Sequence, residues 1–194
     1  MVEFCYPVGA TKLDPDESAG LIPKHIITQE QLNEWEQSNI IVAKKWAFVK
    51  NKSSVLTVEF TKTLHKEMFG RTWEWAGTFR RSNKNIGVDW ALIHSELGKL
   101  LEETNYYLLN NTFPVKEIAA RFHHRLVFIH CFVNGNGRHA RLMVDILLLS
   151  LGEMKFSWGS RDLYHDGNAR KSYIAALRNA DGYDYTDLIK FVDS

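Results

Sequence analysis

One segment constrains the fold more than any other: "RHARLMVDILLLSLG" at residues 138–152. After its polar first turn it is apolar on nearly every side, so an α-helix here must be surrounded by other elements. The apolar run is shorter than the roughly eighteen residues that span a bilayer, and Asp145 interrupts it. We therefore expect a buried central helix in a globular domain, with no membrane association.

Apolar residues recur at intervals of three and four along most of the remaining chain, which is the spacing of an amphipathic helix. Thr28 is a candidate N-cap for the first of these helices, and Gly70 is a candidate end for the second. The predicted helices cover about 28–48, 55–68, 90–111, 114–130, 138–152, 167–179 and 184–192. The predicted fold class is all-α.

Two stretches depart from the helical pattern. The first 27 residues hold Pro7, Pro15 and Pro23 and predict an irregular N-terminal arm (1–27), which leaves 28–194 as the domain. The second stretch follows Gly77, where the extended pieces "TFRR" and "IGV" flank the turn-like "SNKN". This pattern predicts a short β-hairpin or flap with a basic tip, at about 79–88.

Composition narrows the function classes. Apolar residues make up 45% of the chain and charged residues 24%, and the formal net charge is +1. So balanced a charge gives no support to a broad nucleic-acid surface, and we expect no direct nucleic-acid binding. The two cysteines cannot form a disulfide scaffold, and the N-terminus lacks the pattern of a signal peptide. We expect a cytoplasmic protein.

The turn before the central helix, within "HCFVNGNGRHAR" at 130–141, carries the chemistry. Gly135 and Gly137 tolerate positive φ, and a new helix is expected to start near Arg138. A glycine-rich turn that leads into a helix N-terminus presents backbone N–H groups and a positive dipole end, which suits phosphate. Arg138 and Arg141 could add charge-assisted hydrogen bonds, and His130 at the rim could accept a proton from a hydroxyl.

Three alternatives stay open at this point. The turn could be only a tight connection between two helices. The four histidines His123, His124, His130 and His139 invite a zinc interpretation, but adjacent histidines on a helix point about 100° apart and the zinc spacing is incomplete. Cys131 could be a nucleophile, although neighbouring residues rarely aim at one point.

The same residues resemble the signature of the Fic family, His-Pro-Phe-x-(Asp or Glu)-Gly-Asn-Gly-Arg-x-x-Arg. The chain matches this signature at His130, Phe132, Gly135, Asn136, Gly137, Arg138 and Arg141. The resemblance extends from about residue 28 to the end. The form "HCFVNGNGRHAR" is most similar to a bacterial subgroup called mobile mystery protein B.

The resemblance implies a Fic-like helical bundle that transfers AMP from ATP to a protein hydroxyl. By position, His130 would be the base that deprotonates a Ser, Thr or Tyr of the target protein, which the flap would align. The anion hole would consist of Gly135, Asn136 and Gly137, and the phosphates would be held by Arg138 and Arg141. Asn134 would stand at the position that orients Mg²⁺, and a small helix-turn-helix protein would be an antitoxin-like partner.

Two departures from the signature bear on activity. Cys131 replaces a proline, and Asn134 replaces the acidic residue, whose charge makes it the better Mg²⁺ ligand. The second departure raises an alternative function, a catalytically weak module that binds a nucleotide or a partner. Many Fic proteins are also inhibited by a helix glutamate; the nearest candidate here is Glu36 in "NEWEQSN", for which an ordinary exposed helix position is the favoured interpretation.

Overall fold

The computed structural model describes residues 13–49, 55–160, 163 and 167–194. In chain order the helices are α1 (Pro15–Ala19), α2 (Gln29–Val49), α3 (Val58–Phe69), α4 (Ile93–Leu109), α5 (Val115–Ile129), α6 (Asn136–Ser150), α7 (Asn168–Asp181) and α8 (Thr186–Val192). Short 3-10 turns lie at Trp90–Leu92 and Trp158–Ser160. The all-α prediction is confirmed for the described part of the chain, where none of the helices has the length and apolar character needed to cross a bilayer.

The helix α6 lies at the centre of the domain, as its sequence predicts. It packs against α5, α3 and α2, and its side chains are buried on several faces, among them those of Leu142, Met143, Val144 and Leu148. A helix that is apolar nearly all round is stable only when neighbours cover it on all sides. The turn that precedes α6 is therefore held on a rigid support.

Local sequence signals set the ends of α2 and α3. The hydroxyl of Thr28 accepts a hydrogen bond from Gln31 N, and the side-chain oxygen of Gln31 accepts one from Thr28 N, at 3.2 Å each. Thr57 caps α3 in the same way by accepting from Phe60 N at 3.1 Å, and Gly70 follows the last residue of that helix. Each cap satisfies N–H groups that the helix itself cannot. The predicted N-cap at Thr28 and the predicted end at Gly70 are confirmed.

Part of the predicted irregular arm, residues 1–12, lies outside the described residues. The rest of it contains α1, where Pro15 takes the first helical position and the backbone N of Asp14 donates to the Glu17 carboxylate at 2.8 Å. Leu21 and Ile26 are buried in the core. The division into an arm and a domain stays a prediction.

The predicted β-hairpin in the flap (residues 79–88) is not found. Within the described residues, which include the whole flap, Phe79 instead makes an isolated antiparallel bridge with Phe132 of the loop before α6. The guanidinium of Arg80 donates to the carbonyls of Ser82 and Val88, which lie on the two arms of the flap. A side chain thus takes the place of the hydrogen bonds that would have paired two strands.

Candidate active site

The candidate site lies in the corner between α5 and α6. The helix α5 ends at Ile129, and the next residue, His130, has a left-handed backbone (φ 57°, ψ 59°). The helix α6 begins after Gly135, which is also left-handed (φ 76°, ψ 2°). A non-glycine residue in this conformation costs about 1–2 kcal/mol, so the surrounding structure must hold His130 there. A loop of five residues after His130 separates α5 from α6, and the position of the His130 side chain at the rim of the α6 N-terminus stays a prediction.

The imidazole of His130 is buried, with 5% of the residue exposed. Burial lowers its pKa to about 4, while a hydrogen bond with the Val127 backbone acts in the opposite direction. The positive charges of Arg80 and Lys84 lower the pKa further. The imidazole is therefore neutral at physiological pH, which is the protonation state that a general base requires.

The two glycines of the turn have different reasons to be glycine. A methyl group at Gly135 would lie 2.6 Å from the Phe69 ring, and the φ of this residue is positive, so both packing and backbone require glycine. A methyl group at Gly137 would meet only Arg141 Nη1, at 3.7 Å, in the first turn of α6. Gly137 thus leaves open space over the helix N-terminus, where backbone N–H groups have no partner within the helix.

Asn136, which the family signature places in the anion hole, is 5% exposed and its side chain serves the loop itself. Its Oδ1 accepts a hydrogen bond from Phe132 N at 2.9 Å, and its Nδ2 donates to Phe132 O at 2.8 Å. The side chain therefore fixes the loop, and only the backbone N–H of Asn136 belongs to the helix end that suits an anion.

Asn134 also turns its side chain inward. Its Oδ1 accepts hydrogen bonds from Gly135 N at 2.6 Å and from Arg138 Nη2 at 3.5 Å. A neutral amide oxygen is already a weak ligand for Mg²⁺. One that accepts hydrogen bonds inside its own loop is not presented to a metal, so the residues here do not fit a protein-held Mg²⁺.

His65 on α3 packs against the loop between α5 and α6. No motif in the sequence indicated this role. Its Nδ1 accepts a hydrogen bond from Gly77 N and its Nε2 donates to Asn134 O, both at 3.0 Å, which defines the neutral tautomer. The ring stacks on Phe132 with centroids 3.8 Å apart, and burial holds its pKa well below the usual value. His65 thereby connects the root of the flap to the loop.

The two arginines of the signature point to different neighbours. Arg138 donates to the Glu36 carboxylate at 2.5 Å and lies 4.7 Å over the Phe69 ring. Arg141 lies 5.8 Å over the ring of Tyr173, on α7. Both arginines therefore border the N-terminal turn of α6, but one faces α2 and the other faces α7.

The placement of Glu36 differs from the favoured interpretation of an exposed residue, which is wrong. Glu36 is only 5% exposed, and its second carboxylate oxygen accepts a hydrogen bond from Trp73 Nε1 at 2.6 Å. Helical periodicity alone allowed either orientation of Glu36. The packing of α2 against α3 decides it, because that packing turns Glu36 toward Arg138.

The flap covers the base. A methyl group at Gly87, whose φ is 105°, would lie only 2.7 Å from the His130 Cβ, so glycine is required at this contact. Lys84 forms salt bridges with Asp14 and Glu17 at 2.6 Å each, which leaves its side chain 4% exposed. The segment around α1 thus holds the flap at its basic tip.

Cys131 is a structural residue in this arrangement. It is 1% exposed, and burial raises the pKa of its thiol to about 12. A thiol with so high a pKa stays protonated at neutral pH and is a poor nucleophile. Its backbone carbonyl accepts a hydrogen bond from Arg80 N at 3.0 Å, which joins the loop to the flap.

The histidines that raised the zinc interpretation have partners within the protein. His123 hydrogen-bonds the Tyr173 hydroxyl, His124 pairs with Asp181, each at 2.8 Å, and His139 hydrogen-bonds the backbone of Thr61 at 2.9 Å. No group of three or more metal-binding side chains occurs among the residues that the structure describes.

Comparison with known proteins agrees with this geometry. Residues 55–148 match the model of the Fic/DOC family. The chain is similar to the protein adenylyltransferase Fic of Nematostella vectensis, 28% identical over 146 residues (73% of this chain), and to that of Aedes aegypti, 31% identical over 110 residues (53% of this chain). These matches span only 32% and 21% of the two relatives.

A solved structure extends the likeness of fold to almost the whole chain. BepC from Bartonella tribocorum, a VirB-translocated effector protein crystallised with bound AMPPNP, superposes with a TM-score of 0.68 over 93% of this chain and 97% of its own. The sequence identity is 18%, so the likeness shows the fold. Membership in the mobile mystery protein B subgroup stays a prediction.

Proposed function

We propose that this protein transfers AMP from ATP to a Ser, Thr or Tyr hydroxyl of a target protein. The observation that carries the proposal is a neutral, buried imidazole (His130) at the rim of a helix N-terminus that Gly137 leaves open. The naming of the two relatives as protein adenylyltransferases supports the same reaction. The open N-terminal turn of α6 suits a polyphosphate, because it presents backbone N–H groups and carries Arg138 and Arg141, which could turn from Glu36 and Tyr173 to hold phosphate oxygens; this turn is called the cradle below.

In this reaction the target hydroxyl oxygen bonds to the α-phosphorus of ATP. The bond between that phosphorus and the bridging oxygen breaks, and pyrophosphate leaves. The hydroxyl proton passes to the His130 imidazole. Positioning and charge neutralisation carry most of such a transfer, and these are what a rigid turn supplies. Mg²⁺ would add charge neutralisation when bound with ATP, but the Asn134 amide oxygen already accepts a hydrogen bond from Gly135 N within the loop.

Glu36 gives the proposed enzyme an off state. Its carboxylate occupies the Arg138 guanidinium, so a phosphate that needs Arg138 must displace it. The carboxylate is anchored on its other side by Trp73, which makes displacement unfavourable. We therefore expect the wild-type protein to bind ATP weakly until α2 shifts or Glu36 is replaced.

The second candidate is a catalytically weak module that binds a nucleotide or a protein partner. The inward orientation of Asn134 favours it, because the site then lacks an anionic residue at the metal position. A small helix-turn-helix protein is the partner that the family resemblance suggests for either function.

The decisive experiment incubates the purified protein with labelled ATP, Mg²⁺ and cell lysate. We expect Glu36→Gly to label a protein band, and Glu36→Gly combined with His130→Ala to label none. Tight ATP binding without labelling, in both the wild type and Glu36→Gly, would exclude the transferase and favour the binding module. Loss of both ATP binding and labelling in Glu36→Gly would contradict the transferase and the nucleotide-binding form of the second candidate, and would leave a module that binds only a protein partner.

A further inference from the structure

Arg80 is the least expected buried residue of the domain. It belongs to the basic stretch of the flap, yet only 2% of it is exposed. A guanidinium carries five N–H donors, and burying it is costly unless they find acceptors. The residues around Arg80 must therefore supply hydrogen-bond acceptors for its guanidinium.

The acceptors around Arg80 are backbone carbonyls from two separate segments. Nε donates to His130 O at 2.7 Å, and Nη2 reaches Ile129 O at 3.4 Å. Nη1 donates to Ser82 O at 2.8 Å, and Nη2 also donates to Val88 O. One side chain thus binds the end of α5 and both arms of the flap at once.

These hydrogen bonds stabilise the backbone at the candidate base, His130, in two ways. The last carbonyls of a helix lack partners within the helix, and a cation there also interacts favourably with the helix dipole. His130 in addition has a left-handed backbone, which costs a residue with a side chain about 1–2 kcal/mol. By donating directly to the His130 carbonyl, Arg80 gives the helix end a hydrogen-bond donor and a positive charge, and it also holds the His130 backbone in place.

We propose that Arg80 is a positioning residue that fixes the left-handed turn at His130 and the flap in one mutual geometry. The close contact of Gly87 with both the His130 Cβ and Arg80 Nη2 shows how tightly the three fit, since a methyl group at Gly87 would lie 2.7 Å and 2.8 Å from them. The inference rests on the proposed function, in which the flap aligns the target and His130 takes its proton. Arg80 touches neither substrate; it acts through His130 and the flap.

The test compares Arg80→Met and Arg80→Lys in the Glu36→Gly background, with Arg178→Met, an exposed arginine on α7, as the matched control. We expect Arg80→Met to lower kcat for transfer about 100-fold while the Kd for ATP changes less than about twofold, because misplacing a reacting group costs rate rather than phosphate binding. Arg80→Lys keeps the charge but not the fork, so kcat should be intermediate. Arg178→Met should match the parent.

A purely structural role gives a different pattern. Loss of transfer in proportion to the unfolded fraction, or an equal loss of ATP affinity, would overturn the inference, as would unchanged kcat in Arg80→Met. Should Arg80→Met fail to fold, Arg80→Lys decides: a kcat equal to the parent overturns the inference.

The proposed function and this inference can fail separately. If the Glu36→Gly parent transfers nothing, the proposed function fails, and Arg80 is then judged by NMR on the folded variants. We expect the His130 imidazole titration to move and amide exchange in residues 82–88 to accelerate in Arg80→Lys. Unchanged titration together with unchanged exchange overturns the inference.

Discussion

Glu36 on α2 and Arg138 on α6 lie 102 positions apart in the chain and form a buried ion pair at the N-terminus of α6. The glutamate is 5% exposed, and Trp73 holds its other oxygen. This pair places a carboxylate where the family resemblance implies a phosphate. Under the proposed function, the state of the site depends on a competition between the Glu36 carboxylate and a phosphate for the Arg138 guanidinium.

We expect Glu36→Gly to raise the affinity for ATP at least about tenfold, which corresponds to about 1.4 kcal/mol. Removing the carboxylate leaves Arg138 without its anionic partner, so the ligand-free variant should also be less stable than wild type. ATP should restore that stability, which a thermal-shift titration measures directly. The control is Glu34→Gly, an exposed position on the same helix that carries the same helix-propensity cost. Equal ATP affinity in Glu36→Gly and wild type would contradict competition.

The glycines of the turn provide a matched pair of substitutions. Gly135→Ala should destabilise the fold by roughly 1–3 kcal/mol, because its φ is positive and the new methyl meets the Phe69 ring. Gly137→Ala should fold as well as the parent, because its position is helical and open. In the Glu36→Gly background, calorimetry should nevertheless show weaker ATP binding for Gly137→Ala, whose methyl stands in the cradle. Parent-like ATP binding in that variant would show that phosphates lie elsewhere.

Replacing Asn134 with Asp should make nucleotide binding depend on Mg²⁺. The carboxylate can keep the hydrogen bond from Gly135 N and adds a hard anionic ligand for the metal. In the Glu36→Gly background, we expect the ratio of ATP affinities with Mg²⁺ and with EDTA to grow at least about tenfold, or about 1.4 kcal/mol. Asn134→Ala is the control, since it removes the loop hydrogen bond without adding charge. If the ratio stays that of the parent, Asn134 does not occupy the metal position.

Acid should destabilise the protein well above the pH at which carboxylates titrate. Burial lowers the pKa of His139 and His130 to about 4 and that of His123 to about 3, from an ordinary value of 6.5. Because the unfolded chain then binds more protons, stability is complete above about pH 6.5 and falls as the pH drops toward 4. Each histidine costs about 2 kcal/mol at pH 5.

One buried carboxyl opposes this trend. Burial raises the pKa of Asp145 to about 6, so its protonation favours the folded state as the pH falls below that value, by about 1.4 kcal/mol at pH 5. The three histidines above, together with His65, whose pKa burial also lowers, outweigh Asp145. Urea unfolding at pH 7.5, 6 and 5 should therefore show a net loss of stability. His139→Gln should flatten the pH dependence. A slope identical to that of wild type would mean that His139 does not remain neutral in the folded state.

Local features of the sequence were enough to predict much of the fold and the outline of the site. Helical periodicity and a cap such as Thr28 act within a few residues, so they can be recognised without knowing the partners of each helix. The same holds for the turn between His130 and α6, where the required backbone conformations are written in Gly135 and its neighbours.

Side-chain orientations over long distances could not be predicted in this way. The sequence of the flap predicts a hairpin because two extended pieces flank a turn. In the structure, however, the Arg80 side chain donates hydrogen bonds to carbonyls on both arms of the flap, Ser82 O and Val88 O, in place of strand pairing. His65 carried no signal at all, since a lone histidine on a helix face does not reveal that it joins Gly77 to Asn134.

The sequence by itself determined a helical domain with a buried central helix and a glycine-rich turn in front of it, because these depend on periodicity and on backbone conformations within a few residues. Only the tertiary structure decided that Glu36 faces Arg138, that Arg80 is buried under the flap and that Asn134 turns into its own loop. Each of these contacts depends on helix packing or loop closure, which sets side-chain directions that no local pattern encodes.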